Sequence, residues 1–119
     1  MGFLLHGLSV KEVHMEKLAV KIGKRLLTVN KDDIVYLEQS GRKLTINTDM
    51  GEFCVYGNLD EYEKRLGDGF FRCHSFCIVN LNKIASIEGF QIDFVGGLKV
   101  YLGKSNIQKL KKTIVSYMD

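Results

Sequence analysis

Two cysteines and a histidine in one short segment are the residues that most readily suggest chemistry. Cys73 and His74 are adjacent, and Cys77 lies three residues beyond the histidine. Thiolate and imidazole groups can bind zinc, and a thiolate beside a base can act as a nucleophile. A structural zinc site needs four ligands, usually in two close pairs, whereas the remaining thiol, Cys54, falls in a strand-like run. We therefore expect the cysteines to fill the core, with no metal site, no cofactor and no enzymatic activity.

The same segment, residues 70–84, carries polar side chains between apolar ends. Arg72 supplies a permanent forked cation that suits phosphate. His74, Ser75 and Asn80 are short hydrogen-bonding residues typical of turns. For Asn80 we expect a structural role, in which the side chain satisfies backbone groups where strands meet.

Short β-rich runs surround this segment and must position it. Several of them alternate apolar and polar residues, which predicts strands with one buried face. Turns such as Gly96-Gly97 separate them at intervals of about ten residues, which predicts antiparallel hairpins rather than a doubly wound α/β sheet. The predicted strands cover residues 18–22, 26–29, 34–38, 44–48, 53–56, 78–81, 84–87, 92–95 and 98–102.

Two segments have helical spacing instead. In residues 58–66, Asn58 is a suitable N-cap and Glu61 follows three residues later, as in a capping box. In residues 105–118, apolar side chains recur every three or four positions, and Ser105 can cap the helix. We therefore expect one short helix near 58–66 and a C-terminal helix near 105–118.

The aromatic residues divide into an expected core group and an expected surface group. Phenylalanines among isoleucines and valines are usually core residues rather than a base-stacking surface. Those expected in the core are Phe70, Phe71, Phe76, Phe90 and Phe94. Those expected on the surface are Tyr36, Tyr56 and Tyr101.

Length and composition indicate one globular domain. The chain has 119 residues, of which 45% are hydrophobic. No run approaches the roughly 20 apolar residues of a membrane span, and three cysteines, an odd number, suit a reducing cytoplasm. We expect residues 1–17 to form an N-terminal extension or linker, and residues 18–119 to form the domain.

The charges are unevenly distributed along the chain. Residues 1–30 and 104–119 each carry a net charge of +3, whereas residues 31–103 carry −3. A basic end can attract phosphate. Lys111 and Lys112 are better explained as the solvated face of a helix, as charge runs generally are. Bulk charge therefore does not establish nucleic-acid binding, which has to be argued from a site.

A set of spaced segments is shared with a known family. The matching positions are Ile34-Val-Tyr-Leu-Glu38, Ser40-Gly-Arg-Lys43, Tyr56-Gly-Asn-Leu-Asp60, then Phe71, Arg72, His74, Val79, Asn80 and Ile84, and finally Leu102-Gly-Lys-Ser-Asn-Ile107. With these features the sequence resembles the LytTR family of bacterial transcription regulators over roughly residues 18–115.

The resemblance implies a mainly β fold of about ten short, mostly antiparallel strands in small sheets. It also implies sequence-specific binding of double-stranded DNA through loops that reach successive major grooves, with two copies on a direct-repeat site. Domains of this family usually follow a receiver domain in response regulators of two-component systems. Residues 1–17 are too few to hold such a domain.

Carried over position by position, the resemblance implies two groups of contact residues. The candidates for contacts to bases are Arg42, Lys43, Ser75, Lys104 and Ser105. The candidates for contacts to phosphates are Arg72, Lys83, Asn106 and Lys109.

The chain departs from the family pattern at two of these loops. After His74 the family usually places Arg or Asn, then Ser, then Phe or Tyr, whereas this chain has Ser75-Phe-Cys77. Gly103 replaces the usual Ser before the last helix, and Lys104 replaces Arg and lacks its bidentate fork. We expect weaker or differently directed base recognition.

Two other interpretations remain open at this point. The first is a protein-interaction module on the same fold with degenerate DNA-contact loops, which the net charge of −3 over residues 31–103 favours. The second is a small thiol-dependent enzyme, which would require one highly reactive cysteine at neutral pH.

Overall fold

The computed structural model describes residues 17–119, so the extension expected over residues 1–17 lies outside the described residues except for Lys17. Ten strands and two α-helices follow one another along the described residues. They are β1 (Lys17–Ile22), β2 (Arg25–Asn30), β3 (Ile34–Ser40), β4 (Lys43–Thr48), β5 (Gly51–Tyr56), α1 (Leu59–Leu66), β6 (Phe70–His74), β7 (Cys77–Asn80), β8 (Ile84–Glu88), β9 (Gln91–Phe94), β10 (Lys99–Tyr101) and α2 (Lys104–Met118).

The strands form three antiparallel sheets. The largest has the order β5-β4-β3-β7-β6, a three-stranded sheet has the order β10-β9-β8, and β1 pairs with β2. The prediction of a mainly β fold in small antiparallel sheets is confirmed. All nine strands predicted from β-rich runs are present, with boundaries within two residues.

The tenth strand, β6, was not among those predicted from alternation. Its sequence, Phe-Phe-Arg-Cys-His, places two adjacent phenylalanines first and does not alternate. β6 lies at the edge of the large sheet and pairs only with β7, and Phe70 and Phe71 on it are both half-buried. Phe70 packs against one hydrophobic core of the domain and Phe71 against a second one. Both faces of this outermost strand therefore make apolar contacts.

The large sheet separates two hydrophobic cores. Ile78 packs on one face with Leu18 of β1 and Leu59 of α1, and its neighbour Val79 packs on the other face with Leu110 of α2. Consecutive residues of a strand point to opposite faces, which explains the division.

Tyr36, expected on the surface, is half-buried and stacks on Phe94 with ring centroids 5.6 Å apart. Burial, and then the charge of Glu38, raise the pKa of the Tyr36 phenol.

Two phenylalanines expected in the core are exposed instead. Phe76 is 56% exposed and Phe90 is 57% exposed. Both lie in hairpin turns, between β6 and β7 and between β8 and β9, where a side chain projects beyond the sheet and finds no opposite layer. Phe94, within β9, is buried as expected.

One of the two predicted helix caps is confirmed. The side-chain oxygen of Asn58 accepts a hydrogen bond of 2.9 Å from the backbone N–H of Glu61 at the start of α1. The predicted Ser105 cap of the second helix is wrong. Helix α2 begins at Lys104, and its N-cap residue is Gly103, which has no side chain to cap it. Ser105 therefore lies within the first turn, where it is exposed.

Candidate nucleic-acid interface

Two hairpin turns lie side by side at the ends of the strands of the large sheet, on the edge that runs across all five strands. The first joins β3 to β4, where Ser40 is opposite Lys43 and Arg42 is at the tip. The second joins β6 to β7 and contains Ser75. Glu38 of β3 is opposite Cys77 of β7, and the N–H of the next residue, Gln39, donates to the backbone oxygen of Phe76 over 2.9 Å. This hydrogen bond joins the two turns directly.

The start of α2 lies at the same edge. A surface cavity of about 540 Å³ is lined by residues of β3 such as Ser40, by His74 and Phe76 of the β6–β7 turn, and by Tyr101 to Gly103. Gly103 is bonded to Lys104, the first residue of α2. We call the three segments, residues 40–43, 74–76 and 102–105, the loop rim. Each of the five residues expected to contact bases lies within two residues of one that lines this cavity, although none of the five lines it.

Three cations without an ion-pair partner among residues 17–119 lie on the loop rim, and the exposed Glu38 lines the 540 Å³ cavity beside them. Arg42, Lys43 and Lys104 are exposed, and none of the ion pairs within residues 17–119 involves them. Ser75 and Ser105 are exposed beside them. Free cations next to hydroxyl groups can attract a polyanion and also form hydrogen bonds with it.

The β6–β7 turn is held by a network centred on Arg72. One guanidinium nitrogen donates to the backbone oxygen of Ser75 over 2.7 Å. The other pairs with Asp60 and, at 3.1 Å, with Glu63, both on α1. The hydrogen bond from Arg72, and then its charge, lower the pKa of the Asp60 carboxyl. Arg72, which the sequence indicated as a phosphate contact, thus faces two carboxylates and braces the turn.

A second network holds the β3–β4 turn, and no sequence pattern indicates it. The side-chain amide of Gln39 donates to the backbone oxygen of Gly57 over 2.7 Å and to that of Gly41 over 3.2 Å. Its carbonyl oxygen accepts from the N–H of Leu59 over 2.8 Å. The contacts with Gly57 and Leu59 span 18 and 20 residues of the chain, so no local sequence pattern could reveal them. Gln39 ties the turn to the first residue of α1.

The remaining candidate contacts lie elsewhere. Lys83 follows β7 and forms an ion pair of 2.7 Å with Asp49. This pair is at the opposite edge of the large sheet. Because the strands between the two edges have about six residues, the pair lies about 20 Å from the loop rim. Asn106 is half-buried and Lys109 is exposed, both in the first half of α2. Asn80 has the structural role expected of it, since its side-chain nitrogen donates to Ile34 over 2.8 Å and its oxygen accepts from Asn82.

Comparison with known proteins identifies the family. Residues 24–115 match the LytTr DNA-binding domain. This chain belongs to the LytTR family. Accessory gene regulator protein A of Staphylococcus aureus is 32% identical over 104 residues, and that of Staphylococcus epidermidis is 30% identical. Each match covers 84% of this chain but 43% of the relative, so the chain spans less than half the length of these regulators.

A solved structure has the same fold. It is the LytTr DNA-binding domain of a Bacillus cereus protein described as a methyl-accepting/DNA response regulator. It superposes with a TM-score of 0.71 at 25% sequence identity, over 84% of this chain and 96% of that one. The mainly β architecture and the resemblance to LytTR regulators, both expected from the sequence, are confirmed.

The LytTR domain also has a basic groove beside the loop rim. A cavity of about 450 Å³ is lined by Lys21 and Gly23 of the β1–β2 hairpin and by Lys43 and Tyr56 of the large sheet. The family match begins at residue 24, so β1 lies outside it. Lys21 therefore adds positive charge to the groove of Lys43 from a part of the chain that the family match does not include.

The cysteines of this LytTR domain are structural. Cys73 and Cys77 are each 4% exposed, and the Cys73 thiol lies 3.6 Å from the backbone oxygen of Cys77. The neighbouring Cys73 sulfur, together with burial, raises the pKa of the Cys77 thiol. Within residues 17–119 no group of metal-binding side chains is present. The hydrogen bond with Cys77 lowers the pKa of the Cys73 thiol instead, but Cys73 is buried and out of reach of a substrate. A buried thiol of raised pKa, such as Cys77, makes a poor nucleophile. Both observations disfavour the thiol-enzyme interpretation.

In the part of the chain that the structure describes, neither helix has the length and apolar character needed to cross a membrane.

Proposed function

We propose that this LytTR domain binds duplex DNA in a sequence-specific manner, as the DNA-binding part of a bacterial response regulator that controls transcription. The observation that carries the proposal is the loop rim, where three loops at one sheet edge present Arg42, Lys43 and Lys104 without ion-pair partners within residues 17–119. A folded scaffold that already holds these loops in place lowers the entropy cost of each encounter with DNA.

The residue types at the loop rim fit the edges of base pairs in the major groove. Arg42 has the guanidinium fork that can bond guanine O6 and N7 together. Lys43 and Lys104 can donate to the same acceptors, although each only as a point charge. Ser75 and Ser105 can donate or accept. We propose that these five side chains read successive major grooves of a site that two copies occupy as a direct repeat.

Phosphate contacts would flank the base contacts. The first turn of α2 exposes backbone N–H groups at the positive end of the helix dipole, and the nearby side chains of Asn106 and Lys109 extend this surface along α2. On the other side, Lys21, Lys24 and Arg25 of the β1–β2 hairpin would meet the backbone next to Lys43. Lys83 and Arg72, which are held by carboxylates, are left out of this interface.

Proposals about the whole protein follow from its relatives, which are more than twice as long as the matched region. We propose that the domain acts in the cytoplasm and follows a receiver domain in a response regulator of a two-component system. We also propose that it has no enzymatic activity of its own. The alternative is a protein-interaction module on the same fold, which would form a stable complex with a protein and retain no duplex at low salt.

Selection of bound duplexes from a random pool tests the proposal. We expect enrichment of a repeated motif, and fluorescence anisotropy on the enriched duplex should give an affinity that falls with salt, with a log–log slope of about −0.9 for each phosphate neutralised. A combined Lys21→Ala and Lys24→Ala variant should show a shallower slope. A pool with no enriched motif, together with co-purification of a protein partner, would favour the interaction module.

A further inference from the structure

The β6–β7 turn presents a large apolar side chain at the centre of the loop rim. Phe76 is 56% exposed and directly follows two exposed polar residues, His74 and Ser75. Leaving such a ring in water forgoes the stabilisation that its burial would give. An exposed apolar group of this size beside unpaired cations is a candidate contact surface.

The position of Phe76 is fixed from several sides. Its backbone N–H donates to Nδ1 of His74 over 3.1 Å, and its backbone oxygen accepts from Gln39 over 2.9 Å. Its ring lies 5.7 Å from the ring of His74, at an angle of 41°. The preceding residue, Ser75, is held through its backbone oxygen by Arg72. The turn therefore presents the ring without burying it.

The ring lines a cavity that residues next to both basic loops also line. It borders the 540 Å³ cavity together with Ser40, which leads into the turn of Arg42, and with Gly103, which precedes Lys104. A duplex held by both cations would pass over Phe76. In the major groove, the apolar feature that a base pair presents is the C5-methyl group of thymine.

We propose that Phe76 is a specificity-determining residue that recognises a thymine methyl group in the major groove. The inference rests on the proposed function, since it requires that the loop rim contact duplex DNA. It also gives a physical meaning to the order Ser75-Phe-Cys77, because the turn would combine a hydroxyl group for hydrogen bonding with an apolar ring for methyl contact.

Replacement of thymine by deoxyuridine tests the inference, since it removes the methyl group and keeps the base-pairing atoms. The probe is the duplex most enriched from a random pool by the wild-type protein, with each thymine replaced in turn. At one position in each half-site we expect the wild-type affinity to fall by about fourfold, the factor that corresponds to one buried methyl group. Phe76→Ala should bind the thymine and deoxyuridine duplexes equally, and Phe76→Leu should retain part of the difference.

Three outcomes separate this inference from the proposed function. If a motif is enriched but no thymine position responds, or if Phe76→Ala responds as the wild type does, the inference is overturned while DNA binding stands. If Phe76→Ala keeps full affinity and loses binding to a protein, the ring serves a protein contact and the inference also fails. If no motif is enriched, the proposed function itself fails. Met50 is also an exposed apolar residue of a turn, 89% exposed between β4 and β5 at the opposite edge. Met50→Ala is therefore the matched control for Phe76→Ala.

Discussion

The guanidinium of Arg72 donates to the backbone oxygen of Ser75 over 2.7 Å, and its other nitrogen pairs with Asp60 and Glu63 of α1. A residue of a strand thereby ties the turn that follows it to a helix that precedes it. This arrangement makes Arg72 a positioning residue for the β6–β7 turn, with its charge already neutralised by two carboxylates.

Replacing Arg72 by alanine should loosen the turn and reduce discrimination between DNA sequences. We expect a loss of unfolding free energy of about 1 kcal/mol, as for one partly buried hydrogen bond, and a smaller ratio of affinities for the enriched and scrambled duplexes. The salt slope should stay unchanged. Anisotropy at several salt concentrations checks this, and a slope shallower by about 0.9 would instead make Arg72 a phosphate contact.

Replacing Arg42 by alanine should affect sequence preference most directly. The side chain is exposed at the tip of the β3–β4 turn, and its fork suits guanine. We expect the affinity for the enriched duplex to fall by about 1–3 kcal/mol, with a smaller change on a scrambled duplex. Arg42→Lys should restore charge but not bidentate recognition. An unchanged ratio of the two affinities would remove Arg42 from the base-reading set.

Lys109 and Lys83 form a matched pair of lysines for testing the extent of the interface. Lys109→Ala should weaken binding to all duplexes alike and flatten the salt slope by about one phosphate, because Lys109 is exposed on α2 and forms no ion pair within residues 17–119. Lys83→Ala should leave DNA binding unchanged, because Lys83 pairs with Asp49 at the far edge. If both variants changed the slope equally, the interface would have to extend well beyond the loop rim.

The Asp60 carboxyl should make part of the stability dependent on pH. Its hydrogen bond from Arg72 lowers its pKa below the ordinary value of 3.8. A lowered pKa adds stability that is present above the ordinary value and is lost as the pH falls through the folded-state value. In urea unfolding, Asp60→Asn should be less stable than the wild type at neutral pH, and the difference should shrink below about pH 4.

The control for that measurement is Asp68→Asn. Asp68 is exposed and takes no part in the ion pairs within residues 17–119, so this variant should follow the wild type at every pH. A difference between Asp60→Asn and wild type that stayed constant into acid would mean that the carboxylate does not stabilise the fold through its charge.

The three cysteines should differ in their reaction with an alkylating reagent. Cys54 is half-buried, whereas Cys73 and Cys77 are buried and the pKa of Cys77 is raised. Brief treatment of the folded protein with iodoacetamide at neutral pH should modify Cys54 first, and the other two should react only after unfolding. Mass spectrometry of the peptides identifies the site. Rapid modification of Cys77 in the folded state would revive the thiol-enzyme interpretation.

Local sequence patterns predicted the elements that have one buried face. In strand β10, Val100 is buried between the exposed Lys99 and Tyr101, and helix α1 begins after the Asn58 cap, so neighbouring residues were sufficient for both predictions. Strand β6 and the exposure of Phe76 depended on which layer covers each residue. That covering is decided by contacts between distant parts of the chain.

The candidate site was predictable in its residue types but not in its pairings. The three loops could be identified from their spacing through the family resemblance. The partners of Arg72 lie 12 and 9 residues away on α1, and the partner of Lys83 lies 34 residues away. Only the packed fold shows which cations are neutralised and which remain free.

The most direct test of the central claim is a map of backbone amide chemical shifts during titration with the duplex enriched from a random pool. We expect the signals of the loop rim, residues 40–43, 74–76 and 102–105, to change together, while those around Asp49 and Lys83 stay unchanged. Changes concentrated around Asp49 and Lys83, with the loop rim unaffected, would contradict the central claim.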